Sequence, residues 1–322
     1  MLDRCASRCV RSLAALAVLL LLCGPAPAAA ACDPAADYDS LAAAFTAAEQ
    51  GGDLSRALEL AACMNELAEE RHVEILYDLA RLNGLQGNRA KAYEWLQRAA
   101  DAGFWDALRM REDEAFATLR EEALFRNTVR RAWANGYIAM LERPEREEFQ
   151  RREQILAELA FREGERVADV GAGSGYFTIP VARAVGSTGT VIAADISQEM
   201  LDYLDKRVQA ENLTNVQLLK VERDDPLLPP GGVDTILMVD TLHYVKNRGA
   251  YAKKLRAALA PGGRLVIIDY IPRSWEERPW GPPPEQQMSR ETVDAEMAEG
   301  GLKQIKVYDF LPEQYFVVYG AE

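Results

Sequence analysis

A glycine-rich turn between a strand-like run and a helix-like run is the feature that most constrains what this chain of 322 residues can fold into. Residues 167–177 read Val-Ala-Asp-Val-Gly-Ala-Gly-Ser-Gly-Tyr-Phe. Glycines in such a turn let backbone N–H groups and a helix N-terminus approach a ligand that a side chain would block. Asp195 ends the next strand-like run, about 20 residues later, where a carboxylate can hold a ribose hydroxyl pair. The sequence therefore predicts a nucleoside-binding α/β domain.

The spacing of the glycines distinguishes between two nucleoside cofactors. The dinucleotide fingerprint is G-x-G-x-x-G, whose third glycine allows close packing under a pyrophosphate. Here the glycines alternate at positions 171, 173 and 175, and Tyr176 stands where that third glycine would be. Asp169 precedes the first glycine by two residues, where it can reach a cationic amino group or brace the loop. S-adenosylmethionine carries an ammonium and a sulfonium but no phosphate, so the acidic surroundings favour it.

The pattern along residues 145–322 predicts alternating strands and helices. Strands are predicted at residues 166–170, 190–195, 216–221, 233–239 and 264–270, and helices at 177–185, 198–211 and 248–260. This alternation implies a parallel sheet with right-handed crossovers. A helix at 290–299 and two closely linked strands at 303–310 and 314–319 follow. Two such strands must pair antiparallel, because a parallel pair needs a long crossover.

These motifs and their order resemble the class I S-adenosylmethionine-dependent methyltransferases, whose first motif has the form acid-x-G-x-G-x-G. The turn Pro261-Gly262-Gly263, before the fifth predicted strand, is also common in that family. The resemblance implies a Rossmann-like α/β fold with a seven-stranded sheet, in which five parallel strands precede a reversed C-terminal hairpin. It also implies S-adenosyl-L-methionine as the cofactor and methyl transfer as the reaction.

The resemblance transfers cofactor contacts to matching positions of this chain. The implied cofactor-binding residues are Asp169, Gly171, Ala172, Gly173, Ser174, Gly175, Tyr176, Asp195, Ile196, Met200, Asp224, Asp225 and Asp240. The glycine loop is expected to wrap the methionine part of the cofactor, and Asp195 to accept from both ribose hydroxyls. Asp224 and Asp225 are alternatives for the adenine amine, and spacing does not separate them. Asp240 is expected to contact the ammonium or to position the substrate.

His243 is the candidate catalytic residue, since it follows the fourth predicted strand at the edge where open α/β sheets bind ligands. A general base helps only where the attacking group carries a proton of high pKa. The alternative is a histidine that only packs or bonds the backbone. The chain contains two histidines, and His72 lies far from these motifs. No metal ligand set is predicted.

The acceptor is inferred by exclusion. No cysteine follows Cys63, which disfavours mechanisms that use a cysteine nucleophile. The net charge is −13, and nucleic acid binding normally leaves a basic footprint. Residues 273–288 contain two tryptophans and several prolines, and are either an aromatic cover over a substrate or a plain surface loop. We therefore expect a small-molecule acceptor.

Residues 32–142 are predicted to form a separate all-α domain ahead of the methyltransferase domain at 143–322. The run Gly-Asp-Leu-Ser-Arg-Ala that begins at Gly52 recurs as Gly-Asn-Arg-Ala-Lys-Ala from Gly87, at an offset of 35 residues. A glycine turn followed by alanine where two helices approach resembles tetratricopeptide repeats, which implies a possible protein partner. A plain pair of helical hairpins is the alternative. The segment 101–123 resembles the helix that caps such an array.

Residues 1–31 predict a signal peptide, with a basic start, an apolar run at 13–22 and an alanine-rich end. The mature chain is then expected in the periplasm or outside the cell, without a stable membrane span, and a lipid anchor at Cys23 is the lesser alternative because no small residue precedes that cysteine. Cys32 and Cys63 can form a disulfide there. A misassigned start would instead place it in the cytoplasm. Because the cofactor is made in the cytosol, export leaves open a second hypothesis: an exported binding or assembly protein that carries a methyltransferase-like domain.

Overall fold

A seven-stranded sheet forms the C-terminal part of the computed structural model, which describes residues 38–53, 56, 60, 73–74 and 76–321. The strands are β1 Arg166–Val170, β2 Thr190–Asp195, β3 Val216–Lys220, β4 Val233–Val239, β5 Leu259–Tyr270, β6 Leu302–Tyr308 and β7 Gln314–Ala321. Their order across the sheet is β3-β2-β1-β4-β5-β7-β6. The first five are parallel, and β7 pairs antiparallel with both β5 and β6. The predicted parallel sheet with a reversed hairpin is confirmed.

Helices cover both faces of the sheet, and further helices precede it in the chain. In the described residues they are α1 Tyr38–Gln50, α2 Arg89–Asp101, α3 Ala107–Glu112, α4 Ala123–Glu142, α5 Arg146–Gln150, α6 Arg152–Leu159, α7 Thr178–Val185, α8 Gln198–Ala210, α9 Arg248–Ala258 and α10 Arg290–Glu299, with a further helical segment at 76–85. The helices predicted at 177–185, 198–211, 248–260 and 290–299 agree with these bounds to within two residues at each end.

Side chains of β4 show how the sheet is buried from two sides. Ile236 and Met238 belong to one apolar cluster with residues of α9 and α10, whereas Leu237 and Val239 belong to another with residues of α6 and α7. Successive side chains of a strand point to opposite faces, so a strand covered on both sides must be apolar throughout. Full burial stabilises each such side chain by about 1.5–3 kcal/mol.

The fifth strand begins earlier than predicted. The sequence predicts a turn at 261–263 before a strand that starts at Arg264, whereas β5 already starts at Leu259. Leu259 pairs with Val233, and Arg264 pairs with Thr235, so the partner strand advances by two residues while β5 advances by five. Gly262 has a φ of +76°, which glycine adopts without strain. The Pro-Gly-Gly run is therefore a bulge inside a strand.

The sequence also predicts one helix at 149–161 that packs onto the sheet, whereas the structure divides this segment into two helices. Arg151 has a φ of +46°, in the left-handed region, and separates α5 from α6. Its guanidinium donates to the Phe310 carbonyl at 2.7 Å, which anchors the break against the C-terminal hairpin. Ile155 and Leu159 of α6 are nevertheless buried against the sheet, as the prediction of a packing helix requires.

The N-terminal helices have an apolar core of their own. Tyr77 and Phe104 stack with ring centroids 4.3 Å apart, and Phe116 contacts Tyr77 edge-on. Gly52 and Gly87, the two predicted repeat turns, both follow a helix and both have a φ of +74°. Much of the first repeat, the predicted signal peptide and both Cys32 and Cys63 lie outside the described residues, so the repeat and the signal peptide remain predictions.

The capping helix predicted at 101–123 is replaced by the short helix α3 and a 3-10 turn at Glu114–Leu119. Asp113 ends one and caps the other, since its side chain accepts from the Ala115 N–H at 2.9 Å. Among the described residues, no helix is both long and apolar enough to cross a membrane.

Candidate active site

The glycine loop between β1 and α7 depends on backbone angles that suit glycine. Gly171, Gly173 and Gly175 have φ values of +80°, +53° and +85°. A Cβ on Gly175 would collide with Leu204 of α8, so this glycine permits close helix packing. A Cβ on Gly173 would lie 3.1 Å from Leu141 of α4. Gly175 therefore allows α8 to pack closely against the loop, and Gly173 leaves space between the loop and α4.

A cavity of about 480 Å³ opens beside this loop at the carboxyl edge of the parallel strands. Its volume lies within the range of small-molecule sites, and its place is where open α/β sheets bind ligands. Ten predicted cofactor residues line it: Asp169, Gly171, Ala172, Gly173, Ser174, Tyr176, Asp195, Ile196, Met200 and Asp240. The fold brings together residues that span more than seventy positions of the chain.

Asp195 connects the two loops that border the cavity. One carboxylate oxygen accepts from the Gly173 N–H at 2.8 Å, and the other accepts from the Ser197 N–H at 2.8 Å. Burial raises the pKa of this carboxyl, while the Ser197 and Gly173 N–H groups oppose the rise. An ionised carboxylate has about four acceptor positions, so the side chain can hold the loop and still accept from a ligand hydroxyl.

Asp169 lies on the floor of the cavity and is 3% exposed. The Thr178 hydroxyl donates to it at 2.6 Å. Burial raises the pKa of Asp169 to about 6, because the hydrogen bond from Thr178 and the charge of Arg146 offset only part of the desolvation. A cation in the cavity would favour the ionised form of this carboxyl. The predicted roles of bracing the loop and facing a cationic group are therefore compatible.

We expect Asp169→Asn to reduce the dependence of stability on pH. The folded-state pKa of Asp169, about 6, is above its ordinary value of 3.8, so the folded protein binds more protons than the unfolded chain between these values. The carboxyl's contribution to the free energy of unfolding therefore falls as pH rises through this window, by up to about 3 kcal/mol. Urea unfolding near pH 4.5 and near pH 7 measures that difference, which should shrink in the variant.

Asp225→Asn is the control for this prediction. The Lys254 ammonium lowers the pKa of Asp225, so its contribution has the opposite sign. It is also small, since the ion pair is exposed. An unchanged pH dependence in Asp169→Asn would show that Asp169 does not titrate in this window. The comparison uses the change with pH because a buried Asn amide adds a pH-independent cost of its own.

Asp240 is held at the end of β4 in an uncommon backbone conformation. Its φ is +53°, in the left-handed region. Arg146 donates to its carboxylate at 3.3 Å, and the Gln314 amide donates to the other oxygen. Burial raises the pKa of Asp240 to about 6, and the nearby Arg146 charge opposes the rise. Arg146 also lies 4.1 Å from the centroid of the Tyr176 ring, so one guanidinium orients two cavity residues.

Three predicted cofactor residues do not line the cavity. Gly175 packs against α8, and Asp224 and Asp225 follow β3 outside the cavity wall. The Asp225 carboxylate pairs with the Lys254 ammonium at 2.8 Å. Glu222 and Arg223 line the cavity in their place. Glu222, two or three residues before them, is the acid that lines this side of the cavity.

The N-terminal helix α4 covers the cavity, which the sequence analysis did not predict. Trp133, Tyr137 and Leu141 line it from this side. They occur at i, i+4 and i+8, a spacing that places side chains on one face of a helix. This spacing in the sequence indicates that the three side chains share one face of a helix, although it does not specify what that face packs against. Glu142 fixes the end of α4, because Arg207 of α8 donates to it at 2.6 Å.

A second cavity of about 200 Å³ adjoins the first and contains His243. Tyr137, Leu141, Arg146, Asp240 and Tyr244 line both cavities. The other residues that line the second cavity are Met140, Arg143, Phe149, His243, Tyr270, Trp280, Gly281 and Pro282. Part of the proline-rich segment 273–288 thus covers this cavity, while Trp275 in the same segment is 49% exposed.

The donors and charges of the first cavity fit S-adenosyl-L-methionine. Asp169, Asp195 and Asp240 bring three carboxylates to one cavity. An ammonium or sulfonium in the cavity compensates buried carboxylates whose pKa burial has raised. In the part of the chain that the structure describes, no group of three or more His, Cys, Asp or Glu side chains is placed to hold a metal ion.

Similarity to known proteins agrees with this geometry. Residues 168–265 match the methyltransferase domain family. The crystal structure of a SAM-dependent methyltransferase from Aquifex aeolicus is 32% identical, covers 56% of this chain and 95% of that protein, and has a TM-score of 0.52. The ubiquinone/menaquinone biosynthesis C-methyltransferase UbiE of Teredinibacter turnerae is 34% identical over 110 residues, which are 34% of this chain and 44% of that protein.

A second UbiE, from Vibrio cholerae, is 31% identical over 110 residues, 34% of this chain and 42% of that protein. The chain thus spans less than half the length of these curated relatives. The fold and the site define a class I, Rossmann-like methyltransferase domain. The chain belongs to the S-adenosylmethionine-dependent methyltransferases, whose cofactor is S-adenosyl-L-methionine.

Proposed function

We propose that this protein transfers a methyl group from S-adenosyl-L-methionine to a small molecule bound in the second cavity. The observation that carries the proposal is the arrangement of two cavities with a common wall. Tyr137, Leu141, Arg146, Asp240 and Tyr244 belong to both. A ligand in each cavity would meet the other at this wall, and methyl transfer requires that the donor and the acceptor be held in contact and in line.

The first cavity supplies cofactor contacts from several elements. The backbone of the glycine loop would surround the methionine part, Asp195 would accept from the ribose hydroxyls, and Asp169 would face the ammonium. Ile196, Met200 and Glu222 would border the adenine. When bound, S-adenosylmethionine supplies a methyl carbon activated by a positively charged sulfur. The role of the protein is then to orient the acceptor and to exclude water.

The second cavity favours an acceptor with an aromatic or other apolar body. Trp280 lies 4.6 Å from Phe149 and 6.0 Å from Tyr270 between ring centroids. The Arg143 guanidinium lies 5.7 Å from the Trp280 ring. The UbiE relatives are named for ubiquinone/menaquinone biosynthesis, but this chain spans less than half of them. We therefore propose the acceptor only as a small molecule that fits an aromatic cavity, with His243 as its general base.

Label transfer tests the proposal. The full chain is incubated with S-adenosylmethionine carrying a tritiated methyl group and with small molecules extracted from the host. Wild type should label an extract component. Gly173→Val, which alters the cofactor loop, and Trp280→Ala, which alters the second cavity alone, should both lose the transfer, but only Trp280→Ala should still bind S-adenosylhomocysteine. The proposal fails if wild type does not bind S-adenosylhomocysteine, or if Trp280→Ala labels the same component at the wild-type rate.

We also propose that the helical part of the chain consists of tetratricopeptide-like repeats with a protein partner. The similar glycine turns at Gly52 and Gly87 support this. Trp105, just before α3, is 65% exposed and Leu108, on α3, is 55% exposed, which supports it as well. Binding of the partner would then depend on Trp105 and not on the cavity. A pull-down with wild type and Trp105→Ala tests this, and capture of the same proteins by both would contradict it.

The signal-like N-terminus supports a further proposal, that the protein is exported and that Cys32 bridges to Cys63. Closing a loop of about 30 residues would stabilise the helical part by roughly 3 kcal/mol on the chain-entropy estimate. Mass spectrometry of the protein from its native host, without reduction, should find a chain that begins near residue 31 or 32 with the two cysteines linked. A chain that begins at Met1 with both thiols free would show that export is wrong.

A further inference from the structure

His243 and Asp269 form a buried pair at the wall of the second cavity. The His243 Nδ1 and the Asp269 Oδ1 lie 2.8 Å apart, and the two side chains are 3% and 2% exposed. Asp269 stands near the end of β5, 26 residues after His243, so only the pairing of β4 with β5 brings them together. The sequence pattern indicates His243 as a candidate but does not indicate Asp269.

The backbone fixes the Asp269 carboxylate in place. Its Oδ2 accepts from the His243 N–H at 3.1 Å, and its Oδ1 accepts from the Tyr270 N–H at 2.8 Å as well as meeting the imidazole. A carboxylate whose oxygens already accept from backbone N–H groups offers only acceptors to its other neighbours. The imidazole nitrogen next to it must therefore carry the hydrogen.

Neutral imidazole has one protonated nitrogen and one that accepts. With the hydrogen on Nδ1, the accepting nitrogen is Nε2. Among the described residues, the structure shows no hydrogen bond from the protein to Nε2. His243 lines the second cavity beside Tyr244 and Tyr270, whose ring centroids lie 4.1 Å and 6.1 Å away. The residue that carries this accepting nitrogen thus lines the site in which we place the methyl acceptor.

We propose that Asp269 is a positioning residue that keeps His243 in the Nδ1–H form, so that Nε2 takes a proton from an ionisable hydroxyl of the acceptor, such as that of a phenol or enol. This inference rests on the proposed function. An amine acceptor would attack with a free lone pair and would not need a base of this kind, whereas a neutral hydroxyl does. The aromatic lining of the cavity suits a phenol or a conjugated enol.

In the proposed step two bonds break and two bonds form. The acceptor's O–H bond breaks, its proton moves to Nε2, and its electron pair stays with the acceptor. The acceptor then forms the new bond to the methyl carbon, whose bond to sulfur breaks with both electrons remaining on sulfur. S-adenosylhomocysteine leaves as a neutral thioether. The imidazolium, which the Asp269 carboxylate stabilises, later returns the proton to water.

Nitrogen-15 NMR of the full chain tests the positioning role without any acceptor. Long-range proton–nitrogen spectra distinguish the two imidazole tautomers under conditions where the ring is neutral. The chain has only two histidines, so His72→Gln leaves the His243 signals to be read alone. We expect the Nδ1–H form in wild type and the Nε2–H form in Asp269→Asn, because the Asn amide can donate to Nδ1. Asp240→Asn, which removes a charge from the same cavity but no bond to His243, should keep the wild-type form.

The Nε2–H form in wild type, or an unchanged tautomer in Asp269→Asn, would overturn the inference. The wild-type spectrum alone decides the first point, even if the variant fails to fold. In the label-transfer assay, Asp269→Asn should lose about 100-fold in rate with unchanged affinity for S-adenosylhomocysteine. The double variant Asp269→Asn/His243→Gln should lose no more than His243→Gln alone. Failure of wild type to bind S-adenosylhomocysteine would refute the proposed function, whereas binding with the wrong tautomer refutes only the role of Asp269.

Discussion

Gly173→Val is expected to weaken binding of S-adenosylhomocysteine by at least 100-fold while the chain remains folded. Gly173 has a φ of +53°, which a β-branched residue adopts only with strain. Its Cβ would lie 3.1 Å from Leu141, between the loop and the helix that covers the cavity. Either the loop moves and loses the 2.8 Å bond from the Gly173 N–H to Asp195, or the side chain occupies the cavity. Isothermal titration calorimetry measures the affinity.

Gly231→Val is the matched control for that variant. Gly231 has a similar φ of +61°, but a Cβ there would meet nothing within 4 Å. The two variants thus carry comparable backbone strain, and only one alters the cavity. We expect Gly231→Val to reduce the melting temperature slightly and to bind the ligand normally. Wild-type affinity in a folded Gly173→Val would contradict the assignment of the loop to the cofactor.

Asp195→Ala is expected to weaken binding of S-adenosylhomocysteine by roughly 100-fold. A carboxylate that accepts from two ribose hydroxyls makes charge-assisted bonds, each worth about 1.5–3 kcal/mol. The loss of about 3 kcal/mol corresponds to a factor of roughly 100 in affinity. The structure adds a second reason, since Asp195 also accepts from the N–H groups of Gly173 and Ser197 and so holds both cavity loops. Calorimetry, with thermal unfolding beside it, measures the two effects separately.

Two further variants separate the ribose role from a general effect of charge. Asp195→Asn keeps an acceptor oxygen and should lie between wild type and the alanine variant. Asp225→Ala removes a carboxylate that pairs with Lys254 outside the cavity, and it should bind normally. Equal affinities in wild type and Asp195→Ala would exclude the ribose contact. A loss in Asp225→Ala as large as that in Asp195→Ala would place the adenine contact where the sequence first indicated it.

Local patterns in the sequence were sufficient for the sheet and for the loop that borders it. The strands β1, β2 and β4 have the predicted bounds, because a strand buried on both faces is a short apolar run that turn residues interrupt. The antiparallel hairpin follows from the short connection between its strands. The carboxyl ends of β1, β2 and β4 meet at one edge of the sheet, so the sequence order alone brought Asp169, Asp195 and Asp240 to the same cavity.

Small errors arose where the backbone departs from a regular pattern. The left-handed residue at Arg151 divides a helix, and the bulge at Gly262 lengthens a strand. Neither changes the periodicity of the apolar side chains, which is the signal that a sequence offers. The sequence did not separate Glu222, Asp224 and Asp225, of which only Glu222 lines the cavity, for a related reason. All three lie in one short turn, and the direction of each side chain depends on backbone angles that composition does not reveal.

Only the tertiary structure decided which distant residues complete the site. The spacing of Trp133, Tyr137 and Leu141 in the sequence predicts that they share one face of a helix, but it does not predict that this face contacts the glycine loop. In the sequence, Asp269 is only an acidic residue near the end of an apolar strand. The pairing of β4 with β5 places its Oδ1 2.8 Å from the His243 Nδ1. The conformation of a helix, strand or turn depends mainly on neighbouring residues, so the sequence pattern predicts it. Contacts between distant residues depend on how whole helices and strands pack, and that packing is a property of the complete chain.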